Sequence, residues 1–421
     1  MRTVYINTIF FFYIYHISFT FFPLGTRYIL GVFGFIWFVI LFIQQKKDFT
    51  VNVFFFKFLI FLFFIGFISI VSMSYNETLD IEFIKYVITR LIMIFACYFV
   101  VKSLIKLNYK LNFYRISSLM INVILIQSII AFMMFTIPEL RDILLSIQRI
   151  EPEHLEGISK NADFRIIGFG TMYFGAGSIS GFTLILIGIL IRFYDFSSKK
   201  VLILSLKFLF ILTIGMMMAR TTFIGGLLGI ILIMLPKNLK PTISILKKRV
   251  WFIFSIAIIP AIIIAVLFFT IPKVTELLEP TLNFAFEIFI NYFKHGSMES
   301  VSTNRLQEMY IFPTKIKTWI IGDGYWFDPF GKGYYMHTDV GYLRLIYYFG
   351  LVGLAVYLLM QFYIIRVTYK SYNLGIIVYG IVFSYLLILN LKGFADLLLF
   401  NMMFLIAYLL NKNNVSIIDS R

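Results

Sequence analysis

The sequence predicts an all-α polytopic membrane protein, with about twelve transmembrane helices and a large, partly helical loop on one side. Three observations predict it. Sixty per cent of the 421 residues are hydrophobic and only 14% are charged, a balance foreign to water-soluble domains. The apolar residues fall in long runs, near the roughly 20 needed to cross hydrocarbon as a helix. Those runs lack period-2 alternation and exceed barrel-strand length. Because lipid offers no partner to unpaired backbone, helices are what remains.

In chain order the expected spans are 5–22, 28–43, 53–72, 83–101, 116–137, 173–191, 201–218, 221–236, 250–271, 341–360, 375–391 and 394–410. The first has a short basic start and an apolar body. "FFPLG" follows it instead of a small-x-small cleavage site, so it reads as a retained helix. The pair at 201–236 is short and meets at Arg220. Grouped by connection length, 1–137 holds the N-terminal helices and 138–172 a first long outer loop. Central helices occupy 173–271, the large outer loop 272–340, and the C-terminal helices with a short tail 341–421.

Orientation comes from the basic residues between spans. With the N-terminus in the cytoplasm, the inner segments are 1–4, 44–52, 102–115, 192–200, 237–249, 361–374 and 411–421. They carry nineteen Lys/Arg against three acids, Asp48, Asp195 and Asp419, and the surplus equals the whole net charge of +16. The basic character is therefore a topology signal and not a nucleic-acid footprint. Both termini are expected inside. Cys97 is the single cysteine and excludes an internal disulfide. No repeat at a fixed period is visible, which weakens an inverted-repeat transporter.

The polar residues collect in the 272–340 loop. It holds Trp319, Tyr325, Trp326, Phe327, Phe330, Tyr334 and Tyr335, too many aromatics for a solvated tail. They suit a membrane interface or a surface for sugar rings. Over 281–294, Phe284, Ile288, Phe289 and Phe293 recur at helical spacing with Glu287 and Lys294 off that face, which predicts an amphipathic surface helix. Asn304 followed by Gln307 predicts a helix start, with Arg305 in its first turn and the helix running to about Pro313. "GDGYWFDPFGKGYY", rich in glycine, predicts an irregular loop leading back into the bilayer.

Arg220, Arg305 and His337 are all expected at the same outer interface. A guanidinium keeps its charge and offers paired donors to phosphate oxygens. An arginine at membrane depth is a functional candidate by default, and a helix start at Arg305 would add N–H donors. An imidazole titrates near neutrality and can take a proton from a hydroxyl. Two cations and one base suit transfer of a group away from a lipid diphosphate. Each also has a plainer reading: Arg220 snorkelling to headgroups, Arg305 as a solvated loop charge, and His337 as an interfacial polar residue like His16, His154 and His295. Asp339 suits a helix cap. Arg165 and Arg90 are further phosphate candidates, Arg90 alternatively pairing with Glu82. No H-x-x-x-H, cysteine cluster or paired-acid stretch offers a metal site, and no cofactor is expected.

Arg305, "WIIGDGYW" and "HTDVGYLRLIYYFGLVGL" together resemble the region shared by bacterial O-antigen polymerases (the Wzy type) and O-antigen ligases. Its elements are an early Arg in the large outer loop, an aromatic-G-x-G stretch, and a His before a helix with G-L-x-G. They fall here on Arg305, on Trp319 with Gly322 and Gly324, on His337, and on Gly350-Leu351-Val352-Gly353. "MMMARTTFIGGLLGI" is similar to the family's small-Ser-Arg-Thr run, with Ala219 in place of the usual Ser. "FRIIGFGTMYFGAGSISG" around Arg165 resembles a weaker segment.

The resemblance implies a metal-independent lipid-linked glycosyltransferase of the bacterial inner membrane with its active site facing the periplasm. Donor and acceptor would be undecaprenyl-diphosphate-linked oligosaccharides within membrane lipid, with a chain-length regulator protein as a further partner. Arg220, Arg305 and His337 would be the catalytic set; Arg165, Arg90, Trp319, Tyr325, Trp326, Asp339 and Arg344 would contact substrate. Polymerase is favoured over ligase by a Phe/Ile/Tyr/Asn/Lys-heavy composition typical of AT-rich genes. A metal-dependent polyprenyl-phosphate sugar transferase is disfavoured by a first outer loop, "PLGTR", without a carboxylate. A flippase for lipid-linked oligosaccharide is the non-enzymatic alternative.

Overall fold

The computed structural model describes residues 2–22, 24–44, 53–151, 155, 157–158, 161, 164–235, 252, 272–296, 299–331 and 333–412. Among these the regular structure is helical, and the only extended pairings are isolated bridges. In order the helices are α1 (Arg2–Ile14), α2 (Thr26–Gln44), α3 (Val53–Tyr75), α4 (Glu82–Lys106), α5 (Phe113–Thr136), α6 (Pro138–Ser146), α7 (Tyr173–Phe193), α8 (Ser198–Met218), α9 (Thr221–Met234), α10 (Pro272–His295), α11 (Val301–Glu308), α12 (Ile316–Ile320), α13 (Gly341–Ser371), α14 (Gly375–Asn390) and α15 (Leu398–Lys412).

Seven of them, α2, α3, α4, α5, α7, α8 and α13, are long and apolar enough to cross a membrane. The chain is a multi-pass membrane protein. These seven coincide with expected spans. Three more expected spans are apolar but shorter helices, α9, α14 and α15. The expectation for 5–22 is corrected: α1 ends at Ile14. The Thr26 hydroxyl accepts from the Ile17 amide at 3.1 Å and faces the Phe12 and Tyr15 carbonyls, which turns the chain back before the helix can lengthen. The expected span at 250–271 lies outside the described residues apart from Phe252. So do Lys46, Lys47, 237–249, His154 and the tail beyond Lys412.

The chain divides into two compact units. One comprises Met1–Thr26 and Asn112–Glu299, the other Arg27–Leu111 and Ser300–Arg421.

In the first unit α7 is buried along most of its length. Glycine lets α9 approach it closely. A Cβ on Gly225 would stand 2.2 Å from the Gly181 Cα, and one on Gly188 would stand 2.5 Å from the Gly229 carbonyl oxygen. Small residues spaced four apart, here Gly177–Gly181 and Gly225–Gly229, drive such packing where lipid supplies no hydrophobic force between helices. Met218, Ala219 and Arg220 turn α8 into α9, with Arg220 at the start of α9. The amphipathic helix expected over 281–294 is the second half of α10, which contains Pro280. Its buried face runs through Thr281 and Ala285, so Phe293 stays 83% exposed.

In the second unit α13 is central, packed by α3, α12, α14 and α15. It is broken at Phe349–Gly350, where Gly350 takes φ 71. The break frees the Tyr347 and Tyr348 carbonyls, and the G-D-G turn fills it. The Asp323 amide donates to the Tyr347 carbonyl at 2.6 Å and the Gly324 amide to that of Tyr348 at 3.2 Å. The Ser72 hydroxyl also donates to the Tyr348 carbonyl, at 2.6 Å. A Cβ on Gly350 would meet the Ile320 carbonyl oxygen at 2.1 Å. Buried backbone polar groups must be paired, and this turn pairs them.

Two helix starts are corrected. α11 begins after Ser300, whose side chain accepts from the Thr303 amide while Thr303 returns a bond to the Ser300 amide. This reciprocal box outcompetes Asn304, so Arg305 lies in the last turn and not the first. The segment expected at 394–410 becomes helical only at Leu398, whose amide donates to Asp396 at 2.6 Å.

Candidate functional site

The first unit holds a cationic cluster at the α8–α9 turn. Arg220 Nε donates to the Phe284 carbonyl at 2.7 Å, and the same guanidinium pairs with Glu287. Arg165 approaches from the 164–172 loop. That loop is pinned by the Ile166 amide to the Met217 carbonyl at 3.2 Å and by Gln127 to the Phe169 carbonyl at 2.8 Å. Both guanidinium carbons lie 4.4 Å from the centroid of the Phe284 ring. Burial lowers the Arg165 pKa from the usual arginine value, and the nearby Arg220 charge adds to that lowering. Two guanidinium groups thus share one aromatic ring, with a carboxylate on Arg220, a concentration of positive charge suited to an anion.

The second unit holds Arg305 and His337. α11 docks on the start of α13: Leu306, Met309, Tyr310 and Tyr335 pack on Val340, Leu343 and Tyr347. The Thr338 hydroxyl donates to the Met309 carbonyl at 2.7 Å. The helix of Arg305 and the turn of His337 are therefore fixed to the same cluster, with both side chains exposed. His337 ends a single turn in which Met336 and His337 take φ 55 and φ 51. Successive left-handed conformations at non-glycine residues are costly and concentrate at functional positions. The His337 Nε2 lies 3.6 Å from Asp328 Oδ2, beyond hydrogen-bond length. Asp328 is itself oriented by the Phe330 amide, which donates to it at 2.9 Å.

The chain compared with family models, curated proteins and solved structures gives no match. The site therefore stands on its own geometry.

Asp80 clamps the aromatic loop. Its carboxylate accepts from the Trp326 and Phe327 amides at 2.7 and 3.1 Å, and its carbonyl from the Tyr348 hydroxyl at 2.6 Å. Asp323 accepts from Thr318 at 2.8 Å and pairs with Lys317 at 3.2 Å. Burial, with Asp323 nearby, pushes the Tyr335 hydroxyl up to about 12, so it stays protonated.

The remaining candidates divide between support and site. Arg90 pairs with Asp396 at 2.7 Å and not with Glu82, which takes Lys85. Asp396 also accepts from Tyr86, Gln361 and Leu398, so Arg90 is committed inside the second unit. The Trp319 indole donates to the Pro313 carbonyl at 2.8 Å, and Tyr325 packs on Tyr335. Asp339 is exposed and caps nothing: α13 starts from Val340 without a side-chain cap, and Thr338 accepts from the Val340 amide instead. Arg344 lies between the Trp326 and Tyr334 rings, at 3.7 and 3.3 Å from their centroids.

The sequence reading missed Asp80, Glu287, Asp328 and Asp396. The signal was available, since acids in so apolar a chain need a paired cation or an amide cluster. Arg220 lies in the first unit, and Arg305 and His337 lie in the second.

Proposed function

We propose that the chain is a metal-independent lipid-linked glycosyltransferase: a surface polysaccharide polymerase of the bacterial inner membrane, acting at the periplasmic face. The observation that carries the reading is the docking of α11 beside the returning turn, which seats Arg305 and His337 on one cluster. His337 takes the proton of an acceptor hydroxyl as that oxygen forms the new glycosidic bond. The bond from the anomeric carbon to undecaprenyl diphosphate breaks, and the leaving diphosphate keeps the electron pair. Guanidinium groups stabilise that charge through paired N–H donors aimed at the phosphate oxygens. Arg305 serves this role in the second unit, and Arg220 with Arg165 forms the diphosphate-binding candidate of the first.

The finer topology belongs to the same reading: about twelve spans, both termini cytoplasmic, and segments 138–172 and 272–340 periplasmic. The expected partners are lipid-linked donor and acceptor oligosaccharides, with a chain-length regulator.

Reconstitution of the purified protein with lipid-linked repeat units tests the proposal. Longer lipid-linked chains support it. Transfer to lipid A-core instead would make the protein a ligase. Translocation without new bonds would make it a flippase and overturn the enzymatic reading.

A further inference from the structure

Arg344 combines three unfavourable features. Only 7% of it is exposed, and a buried guanidinium is costly unless paired. Its Nε is buried without a hydrogen-bond partner, and the acid whose charge reaches it, Asp339, is exposed and forms no ion pair with it among the described residues. It also sits in the first turn of α13, its amide bonded to the Val340 carbonyl, where the helix dipole disfavours positive charge. An anion bound there would relieve all three.

The geometry restricts that anion. The Trp326 and Tyr334 rings, set at 70° to one another, flank the guanidinium at 3.7 and 3.3 Å, so a ligand reaches it through N–H donors that neither ring meets. A guanidinium offers paired N–H donors matched to an anion with two oxygens at carboxylate or phosphate spacing. The rings are held independently of Arg344. Asp80 binds the Trp326 amide, Phe394 packs edge-on against the Trp326 ring, and Phe327 stacks on Tyr334. The fork is thus preorganised. Phe327 and Phe330, at 44% and 98% exposure, mark the loop outside it as open to a ligand.

We propose that Arg344, held between Trp326 and Tyr334, is a binding site for a two-oxygen anionic group, either a sugar carboxylate or a phosphate. The source of that anion in vivo, an acidic sugar of the glycan or the phosphate of the lipid carrier, rests on the glycosyltransferase reading; the site does not.

The sequence has four tryptophans. Replacing Trp37, Trp251 and Trp319 by Phe leaves Trp326 as the single emitter, in contact with the guanidinium. The purified protein in detergent is titrated at constant ionic strength with sodium glucuronate, inorganic phosphate and sodium pyrophosphate. The expected result is a saturable change in Trp326 emission with glucuronate or with the phosphates, the responding class naming the source. Arg344→Lys keeps the charge but not the fork and should weaken that binding by about tenfold or more. Should the triple variant fail to fold, fluorine resonances of 5-fluorotryptophan in the otherwise unaltered chain read the same contact. A folded protein with no saturable response to any of the three overturns the site, as does an undiminished response in Arg344→Lys. If chain elongation nevertheless proceeds in reconstitution, only the Arg344 site is lost. If Trp326 responds while no glycan is transferred, only the enzymatic reading is lost.

Discussion

His337 shows what a reactive position costs at the scale of one residue. Its backbone is left-handed, its imidazole is 74% exposed, and Asp328 stands just beyond bonding distance. Nothing in the packing requires an imidazole, so His337→Ala should abolish elongation while membrane insertion and helical content stay normal. Near-normal polymer from that variant would remove His337 from the chemistry. Asp328→Asn keeps the shape but removes the carboxylate charge that stands 3.6 Å from the imidazole, and should lower the turnover several-fold with little change in KM. Among the described residues Arg305 makes no hydrogen bond or ion pair that lysine would forfeit. Arg305→Lys should therefore leave stability unchanged and reduce elongation by about tenfold, because an ammonium lacks the planar fork. Equal rates for the two would refute the bidentate argument.

Individual helices show which signals lie in local sequence. The seven long spans were legible because lipid imposes one rule, an apolar run of sufficient length. α1 was overestimated because its end is set by Thr26 hydrogen bonds, a contact that hydropathy cannot register. The Arg305 helix was read one turn late. Ser300 and Thr303 form the capping pair, but Asn304 with Gln307 has the same outline, and only geometry separates them. Glycines repay closer attention. Gly225 touches Gly181 backbone, so Gly225→Leu should prevent α7 and α9 from packing. The readout is loss of a cooperative thermal transition in detergent. A retained transition at the wild-type temperature would show that the glycine contact is dispensable.

For the molecule as a whole, pairings between distant parts of the chain were the least legible. Arg90 and Asp396 are 306 residues apart and Asp80 and Trp326 are 246 apart. A single sequence carries no mark of such partners. His337, Arg305 and the aromatic loop could be picked out locally, whereas the acids that hold them could not. The Arg90–Asp396 pair gives a prediction at this scale. Arg90→Met leaves Asp396 without its cation and should cost about 3–5 kcal/mol of stability. The double variant Arg90→Met, Asp396→Leu should recover part of that loss, though not the cap on α15. Unfolding by denaturant in micelles measures both, and additive losses would deny the coupling.

The G-D-G turn lodged in the break of α13 has one more implication. Straightening that helix would return the Tyr347 and Tyr348 carbonyls to partners within it and leave the Asp323 and Gly324 amides without their acceptors. A thicker bilayer favours straighter, longer spans, so lipid acyl length should act on the loop through this joint. Proteolytic cleavage within 325–335 should quicken as the vesicle lipids are lengthened, while cuts elsewhere keep their pace.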